Sequence, residues 1–189
     1  MPTKSASKFI VQSLFDAGVR NVFGGHGGAL APLVDAVVEH DGLCWVYTRN
    51  EANASLMAAA DSKLSGASRL AACIATSGPG ASNLVTGLLD AQLDRVPLIA
   101  ITGTKPRADA AHSEFQDIDQ ARLFSAGDLG YSVTVSDPLQ LVAVMRDAVA
   151  IALTKRCCVH VAVPVDIQGM PIEAPAFLCS AEPAKIYAR

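Results

Sequence analysis

Six short apolar segments alternate with helix-like segments along this chain, and the alternation constrains the fold more than any other sequence feature. The segments predicted to be strands span residues 21–23, 43–48, 69–75, 97–102, 131–135 and 158–163. Helices are predicted over about 5–17, 30–40, 51–65, from the turn at 77–80 to about 90, and over 138–153. This pattern favours the α/β class, as a doubly wound, six-stranded parallel sheet with helices on both faces. Such sheets bind ligands at the carboxyl ends of their strands.

Composition and charge exclude several classes of protein. The 189 residues suffice for one well-packed domain, and 51% of them are hydrophobic while only 17% are charged. No apolar run reaches the roughly 18 residues of a membrane span, so we expect a parallel sheet buried on both faces and further surface buried against another subunit. The net charge of −3, without a basic cluster, argues against nucleic-acid binding. The first residues lack the apolar core of a signal peptide, so we expect a cytoplasmic protein.

The cysteines indicate neither disulfides nor a metal site. There are five, at Cys44, Cys73, Cys157, Cys158 and Cys179. Their odd number and the absence of a C-x-x-C pair argue against a disulfide framework and a zinc site. Three of them, Cys44, Cys73 and Cys158, lie in apolar runs and are predicted to be small buried residues.

A glycine-rich loop follows the first predicted strand. Phe23 is followed by four glycines within five residues, a composition that lets the backbone turn sharply and lets a ligand approach closely. The spacing differs from the dinucleotide-binding pattern, and no suitable acidic residue follows the next strand. The dinucleotide interpretation is therefore the weaker one, and the loop stays a general candidate for ligand binding.

Two further features follow predicted strands. The segment Thr76–Asn83 turns from a strand into a helix, and a helix start after a glycine turn is a general anion site. It lacks the G-K-[ST] ending of a triphosphate-binding loop, and a turn without any ligand remains the alternative. Asn50 is placed to cap the next helix, with Glu51 in its first turn. On position alone, Glu51 could simply complement the helix dipole.

Taken together, six motifs resemble those of the N-terminal pyrimidine domain of thiamine-diphosphate enzymes, the family of acetolactate synthase, pyruvate oxidase and benzaldehyde lyase. The family's forms of these motifs are Phe-Gly-x-Pro-Gly-Gly, Arg-His-Glu before an alanine-rich helix, Thr-Ser-Gly-Pro-Gly-Ala-Thr-Asn, Asp-x-x-Pro-Leu-x-x-x-x-Gly, Phe-Gln-Glu and Val-x-x-Pro-x-Asp. The matching segments here are Phe23–Gly28, Arg49–Glu51, Thr76–Asn83, Asp94–Gly103, Phe115–Asp117 and Val161–Asp166. The resemblance covers about residues 4–170 and implies a flavodoxin-like thiamine-diphosphate-binding fold.

The resemblance implies a role for Glu51. Its carboxyl group would hydrogen-bond the ring nitrogen of the cofactor's aminopyrimidine and favour the imino tautomer that starts catalysis. The other residues implied to bind the cofactor are Gly25, His26, Thr76, Pro79 and Asn83. His26 departs from the usual proline and resembles the benzaldehyde-lyase branch, although that branch has a second histidine where this chain has Ala29. Asn50 replaces the usual histidine.

On the substrate side, the resemblance implies that Gln116 is catalytic and faces the reacting centre. Phe115, Gly28 and Ala29 are implied to face the substrate. The acid that pyruvate-decarboxylase-like relatives place at Gly28 is absent, and so is their later His-His pair. This favours decarboxylation of a 2-oxo acid with carboligation or oxidation over simple decarboxylation to an aldehyde.

The resemblance also implies missing parts. It predicts a pyrimidine-binding domain over residues 1–168 and a linker over 169–189 toward a missing middle domain. The diphosphate and its Mg²⁺ belong to another domain, in cis or in trans, whose Gly-Asp-Gly motif is absent here. The chain alone is therefore expected to be inactive and to form a homodimer or higher homo-oligomer through this domain. Whether the full enzyme, a lyase or transferase, also carries FAD stays open. The alternatives are a small subunit of a split 2-oxo acid decarboxylase and a non-catalytic assembly or regulatory partner.

Overall fold

A computed structural model describes residues 3–109 and 115–173, which form a parallel sheet between two layers of helices. The strands in chain order are β1 (Thr3–Ser5), β2 (Asn21–Gly24), β3 (Cys44–Tyr47), β4 (Ala71–Ala75), β5 (Leu98–Thr104), β6 (Tyr131–Thr134), β7 (Cys158–Pro164) and β8 (Pro171–Glu173). Six of them form one sheet in the order β3-β2-β4-β5-β7-β6, and every neighbouring pair is parallel. The predicted α/β class and the six-stranded parallel sheet are confirmed.

Seven helices connect the strands within the described residues. They are α1 (Ala6–Asp16), α2 (Ala31–Val38), α3 (Glu51–Leu64), α4 (Pro79–Leu93), α5 (Gln120–Ser125), α6 (Leu141–Lys155) and α7 (Val165–Gln168). Side-chain caps fix several of the starts: Ser5 accepts from the Lys8 amide, Asn50 from the Ala52 amide and Asp119 from the Arg122 amide. The short helices α5 and α7 were not predicted, because six and four residues are too few to show a helical period.

The two faces of the sheet bury different kinds of side chain. We call the side covered by α1, α2 and α6 the aliphatic face, since leucine, isoleucine and valine dominate its core. We call the side covered by α3, α4 and α5 the alanine face, since about half of its fully buried residues are alanine. Successive residues of a strand point to opposite faces, so Ile99 and Ile101 lie on the first and Leu98 and Ala100 on the second.

The strand order reverses between β2 and β4, the place where a doubly wound sheet is expected to form a crevice. From β2 the chain moves outward to β3 through α2 on the aliphatic face, whereas from β4 it moves the other way to β5 through α4 on the alanine face. The connections that leave β2 and β4 therefore diverge beside each other. Ligands of doubly wound sheets bind at such switch points.

A small antiparallel pair outside the main sheet was not predicted. β1 pairs with β8, with Thr3 opposite Glu173 and Ser5 opposite Pro171. The amide of Ala6 also donates to the carbonyl of Met170 at 2.8 Å. Part of the segment predicted to be a linker, 171–173, is thus paired, whereas 174–189 lie outside the described residues.

The cysteines follow the prediction with one exception. Cys73 and Cys158 are buried, and burial raises the pKa of the Cys158 thiol to about 12. The prediction for Cys44 was wrong, because it lies exposed on the edge strand β3, which has a neighbour on only one side. Cys179 lies outside the described residues.

Among residues 3–109 and 115–173, no group of three potential metal ligands occurs. No helix in the same ranges is long and apolar enough to cross a membrane.

Candidate active site at the switch point

Three segments meet at the carboxyl ends of β2, β3 and β4. The glycine turn after β2 lies beside the start of α3, since the amide of Thr48 donates to the carbonyl of Gly24 at 2.9 Å. The turn after β4 leads into α4, with Pro79 at its first position, where a missing amide proton costs nothing. These are the loops that the sequence singled out, and the fold brings them together.

Glu51 is the half-buried acidic residue at this crevice. It occupies the first position of α3, directly after the Asn50 cap. The amide nitrogen Nδ2 of Asn83, on α4, donates to Glu51 Oε2 at 3.0 Å. A hydrogen bond to a carboxylate is stronger than one between neutral groups, so Asn83 fixes the carboxylate plane.

Two glycines leave space beside the other carboxylate oxygen. A Cβ atom on Gly25 would lie 3.6 Å from Glu51 Oε1, and one on Gly80 would lie 3.3 Å from it. A Cβ atom on Gly27 or Gly80 would also approach the side chain of Thr76 to 2.5 and 2.9 Å. Any larger residue at Gly25 or Gly80 would fill the space next to Oε1. The carboxylate oxygen Oε1 is therefore bordered by glycine backbone, without side chains, at Gly25 and Gly80.

The segment of Gln116 closes against the turn after β4. Gly78 has a φ of +65°, and a Cβ atom there would lie 2.8 Å from Gln116 Cα. Gln116 itself has a φ of +67°, a left-handed conformation that costs a non-glycine residue energy and therefore needs support from its surroundings. The side chain of Phe115 is 81% exposed. Residues 110–114, just before it, lie outside the described residues.

The remaining site residues lie around the glycine turns. His26 and Gly28 are exposed, Ala29 is half-buried, and Gly28 begins a short 3₁₀ turn over Gly28–Leu30. The carbonyl of Ala29 accepts a hydrogen bond from Gln168 Nε2 at 2.9 Å. Gln168 is fully buried and was not recognised in the sequence.

A buried polar group also went unnoticed in the sequence. Thr48, three residues before Glu51, is 6% exposed, and its hydroxyl has no hydrogen-bond partner among the described residues. Its carbonyl would lie 3.6 Å from a Cβ atom on Gly25. A buried hydroxyl without a partner is costly, and its place in this turn marks the crevice as polar.

A second polar cluster lies inside the protein, where β5, β6, β7 and α5 meet. Thr102, Gln120, Ser132 and His160 are joined by hydrogen bonds, and three of them are fully buried. Burial lowers the pKa of His160 to about 3, so the ring is neutral near neutral pH. The sequence signal was a polar residue inside each of two apolar strands, Thr102 and His160.

Comparison with known proteins places the chain in a family. The sequence model of the thiamine pyrophosphate enzymes, N-terminal TPP binding domain, matches residues 4–123. Acetolactate synthase isozyme 2 large subunit from Escherichia coli is 36% identical over 165 residues, 87% of this chain and 29% of that protein. Isozyme 1 of the same organism is 34% identical over 181 residues, 95% of this chain and 32% of that protein. The acetolactate synthase large subunit of Lactococcus lactis is 32% identical over 169 residues, 89% of this chain and 29% of that protein.

The match is a match to one part of these enzymes. This chain spans less than a third of the length of each of the three relatives named. Within that part, the family match covers all three segments that meet at the crevice, from β2 to the Gln116 segment. The chain belongs to the thiamine pyrophosphate enzymes as an N-terminal TPP-binding domain, homologous to that of acetolactate synthase large subunits.

Proposed function

We propose that this chain binds the aminopyrimidine end of thiamine diphosphate at the switch-point crevice and activates it with Glu51. The observation that carries the proposal is the arrangement of one carboxylate. Asn83 occupies Oε2, and Oε1 faces the space that Gly25 and Gly80 keep free of side chains. A flat heteroaromatic ring with a basic nitrogen fits beside Oε1, because a proton carried by Glu51 can be donated edge-on to that nitrogen.

The residues present fit the role that each would have. The bound cofactor supplies the electron sink for the reaction, and the protein supplies binding and proton control. Glu51 would hold a proton at the pyrimidine ring nitrogen, and Pro79, at the start of α4, would give an apolar contact. The side chain of Thr76 lies close to Gly27 and would border the same space. Exposed His26 lies at the rim of the same turn.

On the substrate side, the proposal assigns the reacting centre to the side of Gln116. The backbone of Gln116 lies against Gly78 in the turn after β4, and an amide side chain can donate to a carboxylate or a carbonyl oxygen. Exposed Phe115, with Gly28 and Ala29, would border the substrate. The substrate class is a 2-oxo acid, decarboxylated with carboligation or oxidation, as in an acetolactate synthase or a pyruvate oxidase.

The proposal requires a diphosphate-binding domain in addition to this chain. The resemblance assigns the diphosphate and its Mg²⁺ to a Gly-Asp-Gly motif, and that motif is absent from these 189 residues. The named relatives are about three times longer than the matching part. The diphosphate and its Mg²⁺ would thus be held by a further domain, in the same chain or a partner.

The alanine face offers a surface for assembly. Five apolar side chains of α3 and α4 are exposed, namely Leu56, Met57, Leu64, Leu89 and Leu93. Met57 and Leu64 are seven residues apart on α3, and Leu89 and Leu93 are four apart on α4, so each pair lies on one side of its helix. Contiguous exposed apolar surface marks an interaction site in a soluble protein. We propose that this surface is covered in the assembled enzyme, where a homodimer brings the crevice next to a diphosphate-binding domain.

Isolation of the intact protein from its source cells tests the proposed function. Its mass, its partners and its thiamine-diphosphate-dependent consumption of 2-oxo acids such as pyruvate would be measured, with the 189-residue chain alone as the comparison. We expect activity only in preparations that contain a diphosphate-binding domain. Activity of this chain alone, or none in an assembly that binds the cofactor, would contradict the proposal.

A further inference from the structure

We propose that the buried hydrogen-bonded chain Ser132–His160–Thr102–Gln120 positions Gln116, and that these four are positioning residues for the substrate side of the crevice. The proposal rests on the proposed function only in giving Gln116 a role at the reacting centre. That the cluster holds the Gln116 segment in place follows from the contacts alone.

The donors and acceptors of the cluster define a single arrangement. The hydroxyl of Thr102 donates to Gln120 Oε1, because a carbonyl oxygen cannot donate. Thr102 Oγ1 must then accept from His160 Nε2–H, at 2.8 Å. With Nε2 protonated on a neutral ring, Nδ1 needs a donor, and the hydroxyl of Ser132 supplies it at 3.0 Å rather than donating to the Ala121 carbonyl at 3.3 Å. The tautomer of His160 is thus assigned by its partners.

The chain of bonds ends on the backbone beside the crevice. Gln120 Nε2 donates to the carbonyl of Gly103 at 2.9 Å, and Gly103 is packed so closely against Ala29 that a Cβ atom would collide with its carbonyl oxygen. Gln120 is the first residue of α5 and follows Gln116 by four residues. The cluster therefore ties the helix that follows Gln116 to the end of β5 and to the turn of Ala29.

Gln116 needs such an anchor because its backbone is strained. Its left-handed φ of +67° is held on one side by contact with Gly78. On the other side the short segment 117–119 leads to Gln120, whose side chain is 98% buried and bonded at both ends. Fixing both ends of so short a segment leaves few positions for Gln116.

Filling this part of the core with polar side chains costs more free energy than filling it with apolar ones. His160 is fully buried and stacks on Phe124, with ring centroids 3.8 Å apart. Apolar residues of similar shape would bury more easily, whereas a hydrogen-bonded network specifies one geometry. Specification of the Gln116 position is the property that this cluster adds.

The test compares Thr102→Val with Ser13→Ala. Valine keeps the shape of threonine and removes the hydroxyl that joins His160 to Gln120. Ser13 is an equally buried hydroxyl on α1, bonded to the Phe9 carbonyl at 2.8 Å, on the aliphatic face. Hydrogen exchange of residues 115–120 in the 189-residue chain is the first readout, and kcat and KM of the assembled enzyme are the second.

We expect Thr102→Val to speed exchange of 115–120 by about tenfold or more, while Ser13→Ala leaves it unchanged at a matched Tm. In the assembled enzyme, kcat should fall about tenfold with little change in cofactor affinity. Ser132→Ala, which removes only the far end of the hydrogen-bonded chain, should give a smaller effect in the same direction.

Unchanged exchange in Thr102→Val, or an equal change in Ser13→Ala, would overturn the positioning role. Faster exchange with unchanged kcat would overturn the role of Gln116 while leaving the proposal for Glu51 intact.

Discussion

The two faces of the sheet differ in the size of the side chains that they bury. On the aliphatic face, α1, α2 and α6 bury large side chains such as Ile10, Leu14 and Leu33 against the strands. On the alanine face, α3 and α4 bury mainly alanine, glycine and serine and meet closely, because Gly87 lies against Ser55 and the backbone of Leu56. The first face stabilises the domain, whereas the second lets two helices approach each other and the crevice.

The difference explains where the functional groups lie. Glu51 and Asn83 belong to α3 and α4, and their 3.0 Å hydrogen bond requires the close approach that small residues permit. The same face carries the buried cluster around His160 and the exposed apolar side chains of α3 and α4. Small side chains bury less apolar surface and so contribute less hydrophobic stabilisation, but they let the two helices pack closely at the site.

Truncation of a large, fully buried residue should have the largest effect on stability. Leu33→Ala removes a fully buried side chain of α2 and should cost about 2–5 kcal/mol of unfolding free energy. Leu93→Ala, the same change at an 85% exposed position outside the alanine face, should cost little. Urea denaturation of both variants checks the contrast between the buried and the exposed leucine, and a loss in Leu93→Ala as large as that in Leu33→Ala would contradict it.

The pH dependence of stability should come next in size and should trace to His160. Its folded pKa, lowered to about 3, lies below that of the unfolded chain, so the unfolded state binds the extra proton between about pH 3 and 6.5. This contribution is constant above about pH 6.5, and stability falls by about 1.4 kcal/mol per pH unit as pH decreases through that window.

Urea titrations at pH 4.5, 5.5 and 6.5 measure this slope. His160→Gln should flatten it, whereas Ser13→Ala, at a fully buried polar residue that carries no titratable group, should leave it in place. The same slope in His160→Gln would assign the pH dependence to other groups.

A single methyl group should disturb the helix contact of the alanine face. In Gly87→Ala the new Cβ would lie 2.6 Å from the backbone nitrogen of Leu56, which cannot rotate away. The better helix propensity of alanine is worth about 1 kcal/mol, and overpacking costs about 1–3 kcal/mol, so we expect a net loss of stability. Gly169→Ala, where a Cβ meets open space, is the control, and thermal unfolding is the measurement. A stabilised Gly87→Ala would show that α3 and α4 are not tightly packed.

Polar changes on the outside of the alanine face should affect assembly more than folding. Leu64→Ser with Leu93→Ser alters two side chains that are 89% and 85% exposed, so the unfolding free energy should change by only about 0.5 kcal/mol. Association of the assembled enzyme, measured by sedimentation, should weaken. Leu139→Ser, 87% exposed just before α6, should leave association unchanged. Equal effects of the two changes would remove the assignment of the interface to this face.

Sequence reasoning captured what is periodic or local, and missed what depends on contacts between distant residues. The six strands of the sheet and five of the helices follow from hydrophobic patterns and glycine turns. The β1–β8 pair was missed, because three-residue strands carry no pattern. The bond between Gln168 and Ala29, which lie 139 residues apart, and the cluster of Thr102 and His160 were also missed, because no local pattern shows which distant residues meet.

The site shows the same division. The motifs identified Glu51, Thr76, Pro79 and Asn83 as candidates, but no local rule says that Asn83 bonds one carboxylate oxygen while two glycines face the other. That Gln116 takes a left-handed backbone conformation against Gly78 also follows only from the folded structure. Both facts are needed to turn a motif into a chemical role.

The central claim is that Glu51 activates the cofactor, and the rate of proton exchange at C2 of thiamine diphosphate in the assembled enzyme tests it most directly. Glu51→Gln keeps the size and the contact with Asn83 but cannot share a proton in the same way, so exchange should slow by about a hundredfold or more. Glu39→Gln, on an exposed glutamate paired with Lys8 at 3.0 Å, should exchange like the unmodified enzyme. An unchanged exchange rate in Glu51→Gln, with the cofactor bound, would contradict the account.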